Sequence, residues 1–223
     1  MSNTVVRYAS ITKKITMSII GLFLAVFLVV HLSINLLLLN SDGGVAFAAA
    51  AEFMGTNIFI KIFEKVLFLA FILHILLGIF LWWVNRQARP VRYVKANNSK
   101  TSPGSKFMIH TGIIVLIFLI LHFMHFYFVK IGLVPVPEGA ENNHDFYNMA
   151  VVLFSNIYYS LIYIVSFIGL GIHMNHAFQS AFQSLGLEHS KYTPIIKGIS
   201  TVYAVSITVG FSIIPIFFLV TNN

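Results

Sequence analysis

The chain has 223 residues, of which 58% are hydrophobic and 9% charged, against roughly 25% charged in an ordinary soluble domain. No soluble core of this size hides so much apolar surface, so the composition points to an all-α polytopic membrane protein. The formal net charge of +7 does not indicate nucleic acid, because the basic residues sit in short stretches beside apolar segments, where membrane topology places them. The sequence has no cysteine, which excludes disulfides, thiolate-bound iron–sulfur clusters and thioether-attached haem within it and leaves histidine as the main metal ligand.

Residues 1–14 are polar and basic, with Arg7, Lys13 and Lys14. The apolar run from about Ile15 to Leu39 far exceeds a signal-peptide core of roughly 7–15 residues and predicts a first membrane span, with His31 in its second half. Asn40-Ser41-Asp42-Gly43-Gly44 is a break, and Ala46 to Phe53 predicts a short surface helix. The second span, about 58–83, holds Glu64 and His74 and closes on Trp82-Trp83. The most polar stretch, 85–106, carries Arg86, Arg89, Arg92, Lys95 and Lys100. The third span, about 107–129, holds His110, His122 and His125. A loop with Pro135, Pro137, Glu138 and Glu141 leads to a fourth span, about 146–184, with Asp145 as its N-cap and His173 and His176 near its end. Pro194 suits the first turn of a fifth span, about 195–220, which has no histidine. The whole chain, 1–223, reads as one integral membrane domain of five transmembrane helices.

The basic residues predict the orientation. The N-terminus, the 85–106 stretch and the 186–197 link hold eleven (Arg7, Lys13, Lys14, Arg86, Arg89, Arg92, Lys95, Lys100, Lys106, Lys191, Lys197), while the opposite side holds three (Lys61, Lys65, Lys130). The N-terminus is therefore expected in the cytoplasm and the C-terminus outside. With this orientation His31, nine residues before Asn40, and His122, eight before Lys130, both lie roughly 12–13 Å below the outer helix ends. His74 and His173 both fall in the inner half.

Ionisable rings inside hydrocarbon are costly and are seldom kept there without a partner. Two histidine layers, each drawn from two helices and roughly 10–15 Å apart, are explained economically by two haems in a bundle of the first four spans. His31 with His122 would ligate the outer iron and His74 with His173 the inner one. Gly21 and Gly112, each ten residues before a proposed ligand, lie at the inner depth and would let a porphyrin edge approach the backbone. A lone histidine can instead hydrogen-bond across helices, and the two His-x-x-His pairs can bind zinc or copper, which leaves His31 and His74 unexplained. His125 and His176 lie nearer the interfaces and are expected beside a haem propionate or a quinone. His110, His144 and His189 are expected in solvent. Glu64 reads either as an interfacial ion pair with Lys61 or as a proton acceptor for a quinone. Asn35 lies one turn past His31, near the outer haem. Gln179, Ser180, Lys13, Lys14 and Arg86 are placed to meet inner propionates.

The motifs FLVVHLSIN around His31, FILHILLG around His74, TGIIVLIFLILH up to His122 and YIVSFIGLGIH up to His173 resemble those of the di-haem cytochrome b anchor subunit of succinate dehydrogenase and quinol:fumarate reductase. The resemblance covers essentially all five spans. It implies two b-type haems, a flavoprotein subunit and an iron–sulfur subunit docked on the cytoplasmic face, and electron transfer to a membrane quinone, menaquinone at the outer side. It also implies a bacterial cytoplasmic membrane and a place in respiratory complex II and the tricarboxylic acid cycle. The 85–106 stretch and the 186–197 link would be docking surfaces. Some fumarate reductases of this type carry a glutamate two residues before the fourth-span ligand; here that position is Gly171, so a proton path through that carboxylate does not carry over. Two rival functions are a cytochrome b anchor for another respiratory oxidoreductase and a His-lined proton or metal transporter; no inverted repeat or broken helix in the sequence favours the transporter.

Overall fold

The computed structural model describes residues 2–87 and 103–221, with side chains at 11–87 and 107–221. Most of the 85–106 stretch, with Arg89, Arg92, Lys95 and Lys100, therefore lies outside the described residues, as do the side chains of Arg7 and Lys106. The order is α1 (Ser2–Asn35), a 3₁₀ turn (Leu36–Leu39), α2 (Val45–Thr56), α3 (Ile58–Gln87), α4 (Pro103–His122), a π-helical turn (Phe123–Tyr127), α5 (Phe128–Lys130), α6 (Phe146–Ser155), α7 (Ile157–Ser184) and α8 (Thr193–Thr221), with no strand among the described residues. Five helical stretches are long and apolar enough to cross a membrane: Ile11–Leu39, Ile58–Gln87, Phe107–Lys130, Ile157–Ser184 and Thr193–Thr221. The protein is an all-α, multi-pass membrane protein.

Local chemistry sets the breaks. Gly43 and Gly44 adopt φ of 67° and 89° in the turn after the first span. Asp42 accepts hydrogen bonds there from the Gly44 and Ala46 amides at 3.0 and 2.9 Å, satisfying donors at the start of α2. The fourth apolar stretch differs from the continuous 146–184 helix expected. It breaks at Asn156, whose backbone turns extended and whose side chain accepts from the amides of Tyr158 and Tyr159. Ser160, fully buried, donates to the Phe154 carbonyl at 2.7 Å and closes the break. At 1.5 Å per residue α7 alone is about 42 Å long, enough to cross a bilayer without α6. Asp145 does cap, but it caps α6. Burial raises its pKa, but hydrogen bonds from the Glu141 amide and from the Asn148 side chain and amide outweigh that and hold the carboxyl below its ordinary value.

α7 is the centre of the bundle and packs on α8, α4 and α1; α1 also packs on α3, whereas α3 and α4 touch only sparingly. Small residues set these approaches. A Cβ at Gly169 would lie 2.8 Å from Ile114 of α4, and one at Gly210 would lie 2.7 Å from Leu32 of α1. Gly171 faces α8, where a Cβ would overlap Thr208 Oγ1 and lie 3.3 Å from the Ala204 carbonyl oxygen. Polar side chains complete the α7–α8 seam. Asn175 Oδ1 accepts from Gln179 Nε2 and Ser200 Oγ at 2.9 Å each and from Thr201 Oγ1 at 3.4 Å. Asn175→Ala is expected to cost about 1 kcal/mol, the usual size of an interhelical hydrogen-bond group in a membrane. Unfolding of the detergent-solubilised protein measures it, and an unchanged midpoint would mean that the network does not hold the seam.

Candidate functional site

The first four spans, with α2, α6 and the loop before α6 at one end, line a partly open cavity of about 2540 Å³ that runs from Lys14, Arg86 and Ser184 at one end to Glu64, Lys130 and Asp145 at the other. The fifth span reaches it only through Phe211 and Ile214. The volume is several times the roughly 300–1,000 Å³ of a common ligand pocket. His31, His74, His122 and His173 all line it.

The four rings meet in two pairs. His31 of α1 and His122 of α4 face each other with centroids 5.8 Å apart and planes at 84°. His74 of α3 and His173 of α7 do so at 6.4 Å and 76°. A Cβ at Gly21 would touch His74 Cε1 at 3.6 Å, and one at Gly112 would touch His173 Cε1 at 3.6 Å. Gly21 is ten residues before His31 on α1 and Gly112 ten before His122 on α4, so the two layers lie about 15 Å apart at 1.5 Å per residue.

Three observations bear on whether a metal-centred group fits. Two imidazoles binding one ion from opposite sides, at about 2 Å per bond and roughly 1.2 Å from nitrogen to centroid, have centroids about 6.4 Å apart, close to both distances found. At Nδ1, buried in both rings, His74 and His122 have no hydrogen-bond partner among the described residues, so no protein bond at that atom competes with use of either ring as a metal ligand. The methyl positions at Gly21 and Gly112 meet only ordinary contacts within the chain, so protein packing alone does not require glycine there. The donor set, spacing and room fit two bis-histidine haems.

The surroundings of the pairs differ. Phe27 stacks on His31 at 5.2 Å and Phe118 on His122 at 5.7 Å. Phe126 lies 5.3 Å from His122, and Phe211 of α8 lies 5.8 Å from His31. The His74–His173 pair has instead the two glycines and the Thr111 hydroxyl, 3.2 Å from His173 Nδ1. Asn35 donates to the His31 carbonyl at 2.8 Å, and its Nδ2 lies 3.4 Å from His31 Nδ1.

Other predicted residues divide by facing. His125 does not line the cavity; the π-helical turn, with fewer degrees per residue than an α-helix, carries it toward α7. There its Nδ1 is 2.9 Å from the hydroxyl of buried Tyr163, and its ring packs on Tyr159 at 5.1 Å. His176 is likewise off the cavity lining, so neither His-x-x-His pair points both rings inward. Of the residues expected near inner propionates, Lys14, Arg86 and Ser180 line the cavity. Gln179 is turned to Asn175 and Ser200, and Lys13 sits over the Phe80 ring at 4.5 Å. His110, beside Phe107, and His144, in an exposed loop, line opposite ends of the cavity, while His189 is in an exposed loop away from it. Glu64 pairs with Lys130 at 3.4 Å and Lys65 at 3.5 Å, where the sequence suggests Lys61. Both Glu64 and Lys130 are about a quarter exposed, at the cavity mouth.

Thr111, Tyr163 and Phe211 are site residues that the histidine pattern did not reveal. Thr111 was the findable one, since it shares the inner depth with Gly112. What the fold and site define is a multi-pass helical membrane protein with two facing histidine pairs in one intramembrane cavity. No family model matches the sequence, no curated protein matches it, and no solved structure matches the fold.

Proposed function

We propose that the protein is a di-haem cytochrome b membrane anchor that passes electrons between an iron–sulfur partner and a membrane quinone, in a succinate:quinone oxidoreductase. The observation that carries this reading is the pairing of four half-buried histidines from four spans, 5.8 and 6.4 Å ring to ring, in two layers of one cavity. His31 and His122 would hold one b-type haem, and His74 and His173 the other. Haem bound there supplies one-electron redox chemistry. The chain's own residues exclude water with the Phe27, Phe118, Phe126 and Phe211 rings, fix the imidazoles, and offer Lys14, Arg86 and Ser180 to the acidic groups of a ligand at one end.

We assign that end to the cytoplasmic face of a bacterial membrane. The described cations Lys13, Lys14, Arg86, Lys191 and Lys197 all fall at this end of the helices, against Lys61, Lys65 and Lys130 at the other. The flavoprotein and iron–sulfur subunits would dock there. Menaquinone would react at the opposite mouth, which Glu52, Glu141, His144 and Asp145 also line; there we assign proton exchange to Glu64, whose carboxylate Lys130 holds. Glu64→Gln is expected to lower quinone turnover about 10²-fold, the lower range for loss of a general acid–base group, with haem content unchanged. Full turnover in the variant would remove Glu64 from the quinone site.

The reading is tested by a dithionite-reduced minus oxidised spectrum of the purified complex. Two b-type haems per chain are expected, with co-purified flavoprotein and iron–sulfur subunits. A correctly assembled protein without haem would end it, and a different partner set would move the chain to another respiratory oxidoreductase.

A further inference from the structure

We infer that Thr111 is a positioning residue for His173, selecting the tautomer in which that ring binds the inner haem; this rests on the haem reading above. Thr111 is buried on α4, and its Oγ1 lies 3.2 Å from His173 Nδ1 across the α4–α7 interface. The hydroxyl hydrogen has an acceptor on its own helix, the Met108 carbonyl at 3.0 Å, with that of Phe107 at 3.4 Å. Once that hydrogen is given to Met108, the oxygen faces His173 with lone pairs, and so accepts from an Nδ1–H. An imidazole protonated at Nδ1 has its free lone pair on Nε2. The hydroxyl thereby fixes both the tautomer and the rotation of the ring, while Gly112, the next residue, leaves the ring room at 3.6 Å from a would-be Cβ.

The other three histidines lack this arrangement among the described residues. His31 Nδ1 faces an amide nitrogen of Asn35 at 3.4 Å, and His74 and His122 Nδ1 have no partner. Accepting the Nδ1–H raises the basicity of a ligating imidazole, and a stronger donor favours ferric over ferrous iron. Thr111 therefore holds the potential of the inner haem below the value it would have without the hydroxyl.

The test is a redox titration of the haem bands in the assembled complex for wild type, Thr111→Val and Thr111→Ser, with His74→Ala marking which component is the inner haem. Thr111→Val keeps the shape and loses the hydroxyl. It is expected to lower the ferric-to-ferrous ratio of the inner haem about tenfold at fixed potential, an upward shift of about 59 mV, with the outer haem unmoved. Thr111→Ser is expected to titrate like wild type. If Thr111→Val loses haem before it can be titrated, loss confined to the inner component with Thr111→Ser intact supports the assignment. Equal loss of both haems in both variants overturns it, as does an unshifted inner haem in Thr111→Val. A wild-type complex with no haem would overturn the functional reading and this inference together, whereas a di-haem wild type with an unshifted valine variant overturns this inference alone.

Discussion

Replacing His173 by alanine is expected to remove one haem and leave the other, so that haem per chain falls by about half. His74→Ala should remove the same spectral component, and His31→Ala or His122→Ala the complementary one. The expectation follows from geometry. The ring pairs are drawn from different helices, α3 with α7 and α1 with α4, and the layers are about 15 Å apart along the helices. Emptying one layer leaves the ligands of the other in place. Among the described residues, Phe27, Phe118 and Phe126 make ring contacts with His31 or His122 and none with His74 or His173. Electron transfer through the chain should be lost in all four variants, because each removes one of two stations in series. Haem content, measured on variants that remain monodisperse and helical, checks the pairing. Loss of both components to the same extent in every folded variant would contradict it.

Substitution at Gly171 is expected to destabilise the α7–α8 seam. A methyl there collides with the hydroxyl of Thr208, which donates to the Ala204 carbonyl at 2.8 Å, and it presses on that carbonyl oxygen at 3.3 Å. Gly171→Ala should cost about 1–3 kcal/mol through overpacking. Adding Thr208→Ala should recover most of that loss, since the colliding oxygen is then gone. Gly171→Glu should separate α8 from α7 rather than place a carboxylate in the cavity, because residue 171 faces the fifth span. A glutamate placed at this position therefore opens no proton path in this fold, because its side chain would meet α8. Thermal unfolding of the single and double variants measures the coupling. A Gly171→Ala protein as stable as wild type would show that the seam has slack.

Five spans were legible because each is an apolar run long enough to cross a bilayer. The histidine pairs were legible because a helix converts sequence position into depth, and residues at matched depths on neighbouring spans can meet. Facing was harder to read. His125 and His122 are three residues apart, a spacing that on a regular helix puts both near one face, but the π-helical turn at Phe123–Tyr127 swings His125 onto Tyr163. The same limit applied to Gln179, whose depth suited a propionate while its face belongs to α8. The break at Asn156 was hidden by apolar sequence on both sides, with Ser155-Asn156 as its only polar sign. Phe211 on His31 had no sequence signal, because one phenylalanine among 22 carries no address.

Whether the two histidine pairs hold haem is tested most directly by low-temperature electron paramagnetic resonance of the oxidised, assembled protein. The ring planes cross at 84° and 76°, and near-perpendicular imidazoles give ferric haem a strongly anisotropic low-spin signal. Two such low-spin components, present in equal amounts, are the expected result. A spectrum with no low-spin ferric haem, or with haem in a single high-spin form, would contradict the account.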